Sequence, residues 1–143
     1  MYSREQRWAQ KASLAVRTRE NEPWSEDYGR QCLRLPCMIH ECGLCQTLAF
    51  LEAKGQDADE TGGSRRPYFH ALLEDLARAL EVEAAPGTTI RRSLSDKART
   101  SPITEYQRLS RDALGCANYL KRYAEAILRV QPGVDDEPAR EPR

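Results

Sequence analysis

The chain has 143 residues, and its 22 Lys and Arg balance 22 Asp and Glu, so the formal net charge at pH 7 is zero. That length fits one domain able to bury about two-thirds of its unfolded surface. The neutral balance argues against gripping nucleic acid by bulk charge, though it leaves local basic faces open. A composition that is 40% hydrophobic and 31% charged excludes a disordered or membrane-embedded chain.

The N-terminal residues, Met1 to Trp8, carry no apolar signal-peptide core, so a cytoplasmic location is expected. A first helix is expected over 3–21: Ser3 stands as N-cap with Gln6 three residues on, a capping-box pattern. Its apolar stripe is Trp8, Ala12, Ala15 and Val16, with Arg4, Arg7 and Lys11 opposite. Pro23 ends it. Trp24, Tyr28, Cys32 and Leu35 then recur at helical spacing, predicting a short second helix that stops at Pro36.

Residues 37–54 read as a third helix, apolar on most sides and so destined for the middle of a bundle. Gly43 near its start suggests close approach of another backbone, and Gly55 a C-terminal stop. Its longest nearly apolar run, Met38 to Leu51, is too short to span a bilayer. Residues 55–66 lack apolar period and are expected to be a mobile loop. Pro67 starts a fourth helix with Phe69, Leu72, Leu73, Leu76, Ala79 and Leu80 on one face, broken at Pro86-Gly87. Thr89 to Ala98 suggests a short helix anchored by Ile90 and Leu94.

Ser101-Pro102 reads as a helix start, Ser at the N-cap and Pro at the first position. A long final helix follows to about Gln131, with a buried row of Ile103, Tyr106, Ser110, Ala113, Ala117, Leu120, Ala124 and Ile127. The tail, 132–143, has no apolar anchors and is expected to be disordered. The expectation is an all-α single-domain bundle of five to six helices over 1–131.

Cys37, His40, Cys42 and Cys45 have spacing reminiscent of a zinc or iron–sulfur set. On one continuous helix, however, they fan to about 0°, 300°, 140° and 80° around the axis, so the reading is no metal, with Cys42 and Cys45 as small buried hydrophobes. The five cysteines are odd in number and read as reduced thiols. Asp57-Ala-Asp59-Glu60-Thr61-Gly62 matches half of a calcium loop, but Tyr68 stands where the bidentate Glu is needed. His40 and His70 lie on helices without a nearby Ser or Asp in a catalytic pattern, and no phosphate-cradling Gly-rich loop with Lys exists. No catalytic residues or cofactor are therefore assigned, and the chain reads as a non-enzyme without a small-molecule substrate.

Basic faces carry more signal. Residues 1–20 hold five cations (Arg4, Arg7, Lys11, Arg17 and Arg19) against Glu5 and Glu20; residues 91–111 hold six against Asp96 and Glu105. On the last helix Arg108, Arg111, Arg122 and Arg129 share one row, interrupted by Gly115, Asn118 and Glu125. From spacing alone such a row reads either as an ordinary solvated face or as a surface that tracks phosphates.

Two stretches carry a family resemblance. Leu35-Pro36-Cys37-Met38-Ile39-His40-Glu41-Cys42-Gly43-Leu44-Cys45-Gln46-Thr47-Leu48-Ala49-Phe50-Leu51 through Gly55 resembles the signature helix of the small subunit of type III-B CRISPR effector complexes, the fifth protein of the Cmr set. Tyr106 to Ile127, with Tyr119-Leu120-Lys121-Arg122-Tyr123-Ala124-Glu125-Ala126, resembles that family's C-terminal helix, and Arg7, Ala12 and Val16 fit its first. Cys42 stands where the family often has Asn, and Cys45 where a small residue is usual. The resemblance implies a non-catalytic subunit that stacks in several copies beside the large Cas10-type subunit, among other Cmr proteins, and lines the groove holding the guide–target RNA duplex. By that resemblance Lys54, Lys121 and Arg122 are the foremost contacts to RNA or a neighbouring subunit, with Arg7 and Arg17 behind them; the basic rows add Arg108, Arg111, Arg129 and Lys11. The alternatives are the small subunit of the related type III-A (Csm) complex and, from another class, a cysteine-dependent metal or redox protein.

Overall fold

The structure is a computed structural model that describes residues 1–57 and 61–131. Among these residues it is helical throughout its elements: α1 (Arg4–Arg19), α2 (Ser25–Cys42), α3 (Leu44–Gly55), α4 (Pro67–Ala79), α5 (Ile90–Thr100) and α6 (Ile103–Tyr123), the last continued by a π-helical turn, Ala124–Leu128. The all-α expectation holds, with six α-helices among the described residues and a long last one.

Local chemistry sets several boundaries as expected. Ser3 Oγ accepts from the Gln6 N–H at 3.1 Å while Gln6 Oε1 accepts from the Ser3 N–H at 2.8 Å, a complete capping box. Pro67 occupies the first turn of α4, where its missing N–H costs nothing. Thr89 caps α5 by accepting from the Arg92 N–H at 3.2 Å.

Other boundaries differ. The break expected at Pro36 lies instead at Gly43, and α2 runs straight through the proline. Pro36 removes one backbone bond at a cost of ~3 kcal/mol, but Cys32, Leu35, Pro36 and Ile39 are all buried, and each large apolar side chain so buried contributes ~1.5–3 kcal/mol. Burial wins. Gly43 has φ 84°, which other residues rarely adopt, and no neighbour stands near the place its Cβ would fill; its role is the turn, not close approach. Gly55 is where close approach occurs: a Cβ there would fall 2.0 Å from the His70 ring, so α3 lies hard against α4.

Ser101 does not cap α6. Its Oγ donates to the Lys97 carbonyl at 2.6 Å, closing α5, and α6 begins at Ile103 after an extended Pro102. Ile103 is 72% exposed rather than core; Leu109 and Cys116 join Ala113, Ala117, Leu120 and Ala124 on the buried side. The expected loop is stitched at its ends, with Ser64 Oγ donating to Gly55 O at 2.6 Å and the Arg65 N–H to Asp57 O at 2.8 Å. Residues 58–60 of that loop and the tail 132–143 lie outside the described residues.

In the assembled bundle α6 is flanked by α1 and α2, while α4 packs against α1, α2, α3 and α5. Val16, Tyr28, Leu35, Leu48, Leu72, Leu76, Leu94 and Leu120 fill the shared core. The buried side of α6 is thus spent on α1 and α2, which leaves its outer side to present charge.

Candidate nucleic-acid and subunit interface

Arg108, Arg111, Arg122 and Arg129 are all exposed, and none meets an acidic side chain at ion-pair distance among the described residues. The row they were expected to form is not continuous. At Gly115 a Cβ would lie 2.4 Å from the Trp8 ring, so α1 crosses the row at its middle. Arg4 seals the crossing, pairing with Asp112 at 3.3 Å and covering Trp8 at 5.0 Å. The result is two cationic patches on α6, with Arg111 and Arg122 about 16 Å apart along the axis at 1.5 Å per residue.

Lys121 is half-buried beside Arg122, and its charge reaches Cys37 on α2. Burial and the Glu41 carboxylate raise the Cys37 thiol, and Lys121 opposes them. Lys54, in the last turn of α3, rests its Nζ 5.6 Å from the Phe50 ring. It combines a cation–π contact with the favourable place for a positive charge at a helix C-terminus.

The α1 cations are committed within the fold. Glu81, held at φ 58° just beyond α4, takes Lys11 at 2.8 Å and Arg7 at 3.3 Å. Hydrogen bonding from Lys11, its charge and that of Arg7 hold the Glu81 carboxyl below its usual range. Arg17 is exposed and uncommitted, in a groove with Leu14 and Tyr123. The structure therefore separates the candidates: Arg108, Arg111, Lys121, Arg122, Arg129 and Arg17 have no acid partner among the described residues, whereas Arg7 and Lys11 do.

The cysteine set does not sit on one helix. Cys37, His40 and Cys42 belong to α2 and Cys45 to α3, across the Gly43 turn, so the angles for one continuous helix do not apply. Cys42 is exposed and Cys45 half-buried, which corrects their reading as core residues; Cys32 and Cys116 are the buried thiols. Among the described residues no three His, Cys, Asp or Glu side chains gather as metal ligands would. Asp57, the first position of the calcium-like loop, pairs with Arg66 at 3.2 Å.

One polar constellation had no counterpart in the sequence reading. Asp75, 3% exposed, accepts from Tyr28 Oη at 2.6 Å and from Arg19 Nε and Nη2 at 3.1 Å each. The chain continues through Glu74 to Arg91 at 3.2 Å, and from Arg91 to Glu52 at 3.6 Å, which also faces His70 at 3.3 Å. Burial, with the nearby Cys32 and Asp75, pushes the Tyr28 phenol well above its ordinary value. This network ties five helices together, with Tyr28 and Asp75 buried and Arg19, Glu52, Glu74, His70 and Arg91 half-buried. Its signal was Asp75 itself, an acid in register with Leu72, Leu76 and Ala79 on the apolar face of α4.

Comparison with known proteins fits this arrangement. Residues 4–127 match the model of the CRISPR-associated protein family Cas_Cmr5. The chain is 34% identical over 128 residues to the CRISPR system Cmr subunit Cmr5 of Thermus thermophilus, covering 90% of this chain and 98% of the relative. The crystal structure of a Cmr5 family protein from Thermus thermophilus superposes with a TM-score of 0.73 at 34% identity, covering 90% of this chain and 99% of that one. On a match that takes in every helix of the bundle, the chain belongs to the Cmr5 family of CRISPR-associated proteins.

Proposed function

We propose that this chain is a non-catalytic small subunit of a type III-B CRISPR RNA-guided effector complex acting in the cytoplasm. In this reading several copies stack beside the large Cas10-type subunit and help to hold the guide–target RNA duplex for antiviral defence. Family membership supports the place in a Cmr complex. The observation that carries the RNA-holding role is the pair of uncommitted cationic patches on α6, on a chain whose net charge is zero.

The magnitudes favour repetition. One copy neutralises about two to four phosphates, and each contributes a salt slope of about −0.7 on a single strand. That is modest affinity at physiological salt. Copies in line present the same patches again and again, and effective concentration turns weak contacts into a stable grip. Stacking head to tail requires two different contact faces, a heterologous rather than an isologous interface. The reading assigns the chain no metal, no cofactor and no membrane contact.

The test is reconstitution with the other subunits of its complex, counting copies by native mass spectrometry, alongside RNA binding by the free chain. The expected result is more than one copy per complex and weak, salt-sensitive binding by the chain alone. A single copy, or tight binding by the isolated protein, contradicts the proposal.

A further inference from the structure

Where α1 packs on α6, the outer seam between them holds a groove of about 510 Å³. That volume is in the range of sites for one small organic group. α1 supplies Gln10, Ser13, Leu14 and Arg17, one stripe at helical spacing, and α6 supplies Tyr123. Arg17 is exposed and has no acid partner among the described residues. The Gln10 amide, also exposed, the Ser13 hydroxyl and the Tyr123 phenol make no hydrogen bond among those residues either. Leu14 is 66% exposed, a large apolar side chain turned to water. Tyr123 is half-buried: part of it packs on the core, and part lines the groove.

These are the groups that an unpaired nucleotide requires. An aromatic ring gives a base a stacking partner without regard to its identity, and a guanidinium takes the phosphate. The amide and hydroxyl offer donors and acceptors to sugar hydroxyls and base edges. Charge points the same way. No acid lines this groove. By contrast, the groove between α3 and α5 carries Glu52 and Asp96, and the one between α1 and the end of α4 carries Asp75 and Glu81. A polyanion meets no like charge on the α1–α6 walls. Tyr123 also follows Arg122 directly on α6, so the groove adjoins the uncommitted Lys121–Arg122 patch and has Arg17 on its other wall.

We infer that the α1–α6 groove is a base-stacking subsite for one unpaired RNA nucleotide, in which Tyr123 takes the base and Arg17 the phosphate. This rests on the RNA-holding reading and adds to it a contact that charge does not supply. The strand passes from the Lys121–Arg122 patch into the groove and lays one base against Tyr123, whatever that base is.

The experiment titrates the full chain with a short fluorescent oligouridine by anisotropy across a salt series. The variants are Tyr123→Leu, Tyr123→Phe, Arg17→Ala and Lys121→Glu/Arg122→Glu, with melting temperatures measured alongside. Tyr123→Leu is expected to weaken binding by about fivefold or more at every salt concentration, with the slope unchanged, because stacking is not a charge effect. Tyr123→Phe keeps the ring and is expected to bind as the wild type does. Arg17→Ala, at an exposed position that leaves the core intact, is expected to make the slope shallower by about 0.7. The same strand carrying 4-thiouridine is expected to photocross-link to the peptide that contains Tyr123. Binding lost in Lys121→Glu/Arg122→Glu but unchanged in both Tyr123→Leu and Arg17→Ala overturns the subsite and leaves the RNA-holding reading in place. A loss in Tyr123→Phe equal to that in Tyr123→Leu also overturns it, since the ring is then not the contact. No binding by the wild type at low salt, alone or in the assembled complex, removes the RNA-holding reading and the subsite with it.

Discussion

Removing the Asp75 carboxylate is expected to be the most damaging single change outside the apolar core. Asp75→Ala leaves the Tyr28 phenol, fully buried, and the Arg19 guanidinium, 15% exposed, without their shared acceptor. Breaking a buried charge pair by deleting one partner costs about 3–5 kcal/mol. Arg19 keeps Glu74 at 3.7 Å and the Trp24 ring at 5.9 Å, so the low end, about 3 kcal/mol, is expected. In a domain of this size that lowers the melting temperature by about 10–15 °C. Urea unfolding followed by far-UV circular dichroism measures the destabilisation. Tyr28→Phe alone is expected to cost about 1.5–3 kcal/mol, as one hydrogen bond to a charged group. Replacing Arg19, Tyr28 and Asp75 together by apolar residues of similar size (Arg19→Met, Tyr28→Phe, Asp75→Leu) is expected to recover most of what Asp75→Ala removes, since no buried charge is then orphaned; Arg78, which also donates to Asp75 at 3.4 Å, is exposed. An Asp75→Ala variant within about 1 kcal/mol of wild type would refute the reasoning.

Gly115→Ala is expected to cost about 1–3 kcal/mol, because its Cβ must displace the Trp8 ring from 2.4 Å, and a melting curve checks it. Burial pushes the Cys116 thiol up to about 12 and raises Cys32 as well. Folded values above unfolded ones mean that this contribution is whole below about pH 8.5 and fades as pH rises, by about 1.4 kcal/mol per pH unit per thiol. Unfolding free energies at pH 8, 9 and 10 are therefore expected to fall, and Cys116→Ala to flatten the fall; a flat wild-type profile contradicts this. Cys42→Ser, at an exposed position, is expected to stay within about 0.5 kcal/mol, whereas Cys32→Ser, with no exposure at all, is expected to cost about 1–3 kcal/mol in the same assay.

What sequence made legible was local. Ser3 with Gln6, and Pro67, act on their own first turns, so spacing alone located those helix starts. The stretch around Gly43 carried the family resemblance for a structural reason. Gly43 supplies the left-handed turn, Thr47 Oγ1 donates to its carbonyl at 2.8 Å, and Leu44, Leu48 and Leu51 plug the core behind it. The misplacements came where distant residues decide. Pro36 was overruled by burial against other helices, and Ile103 fits the α6 period yet has nothing to pack upon. Asp75 showed its register, but Arg19 and Tyr28 reach it from 56 and 47 residues away. The arginine row of α6 was correct as a list of exposed cations. Its division at Gly115 depends on Trp8, which a helical wheel of α6 does not contain. Likewise, the withdrawal of Arg7 and Lys11 into contact with Glu81 depends on where α4 ends.

The most direct measurement of the central claim is target-RNA binding by the assembled complex across a salt series, with Lys121→Glu/Arg122→Glu in this subunit. These two residues lie in one uncommitted α6 patch, outside the Asp75 network, so folding and incorporation are expected to be normal. The account predicts weaker RNA binding with a shallower dependence on salt, the slope falling by about 0.7 for each phosphate of a single strand that is no longer neutralised. Unchanged affinity and slope at every salt concentration, with the variant subunit fully incorporated, would contradict it.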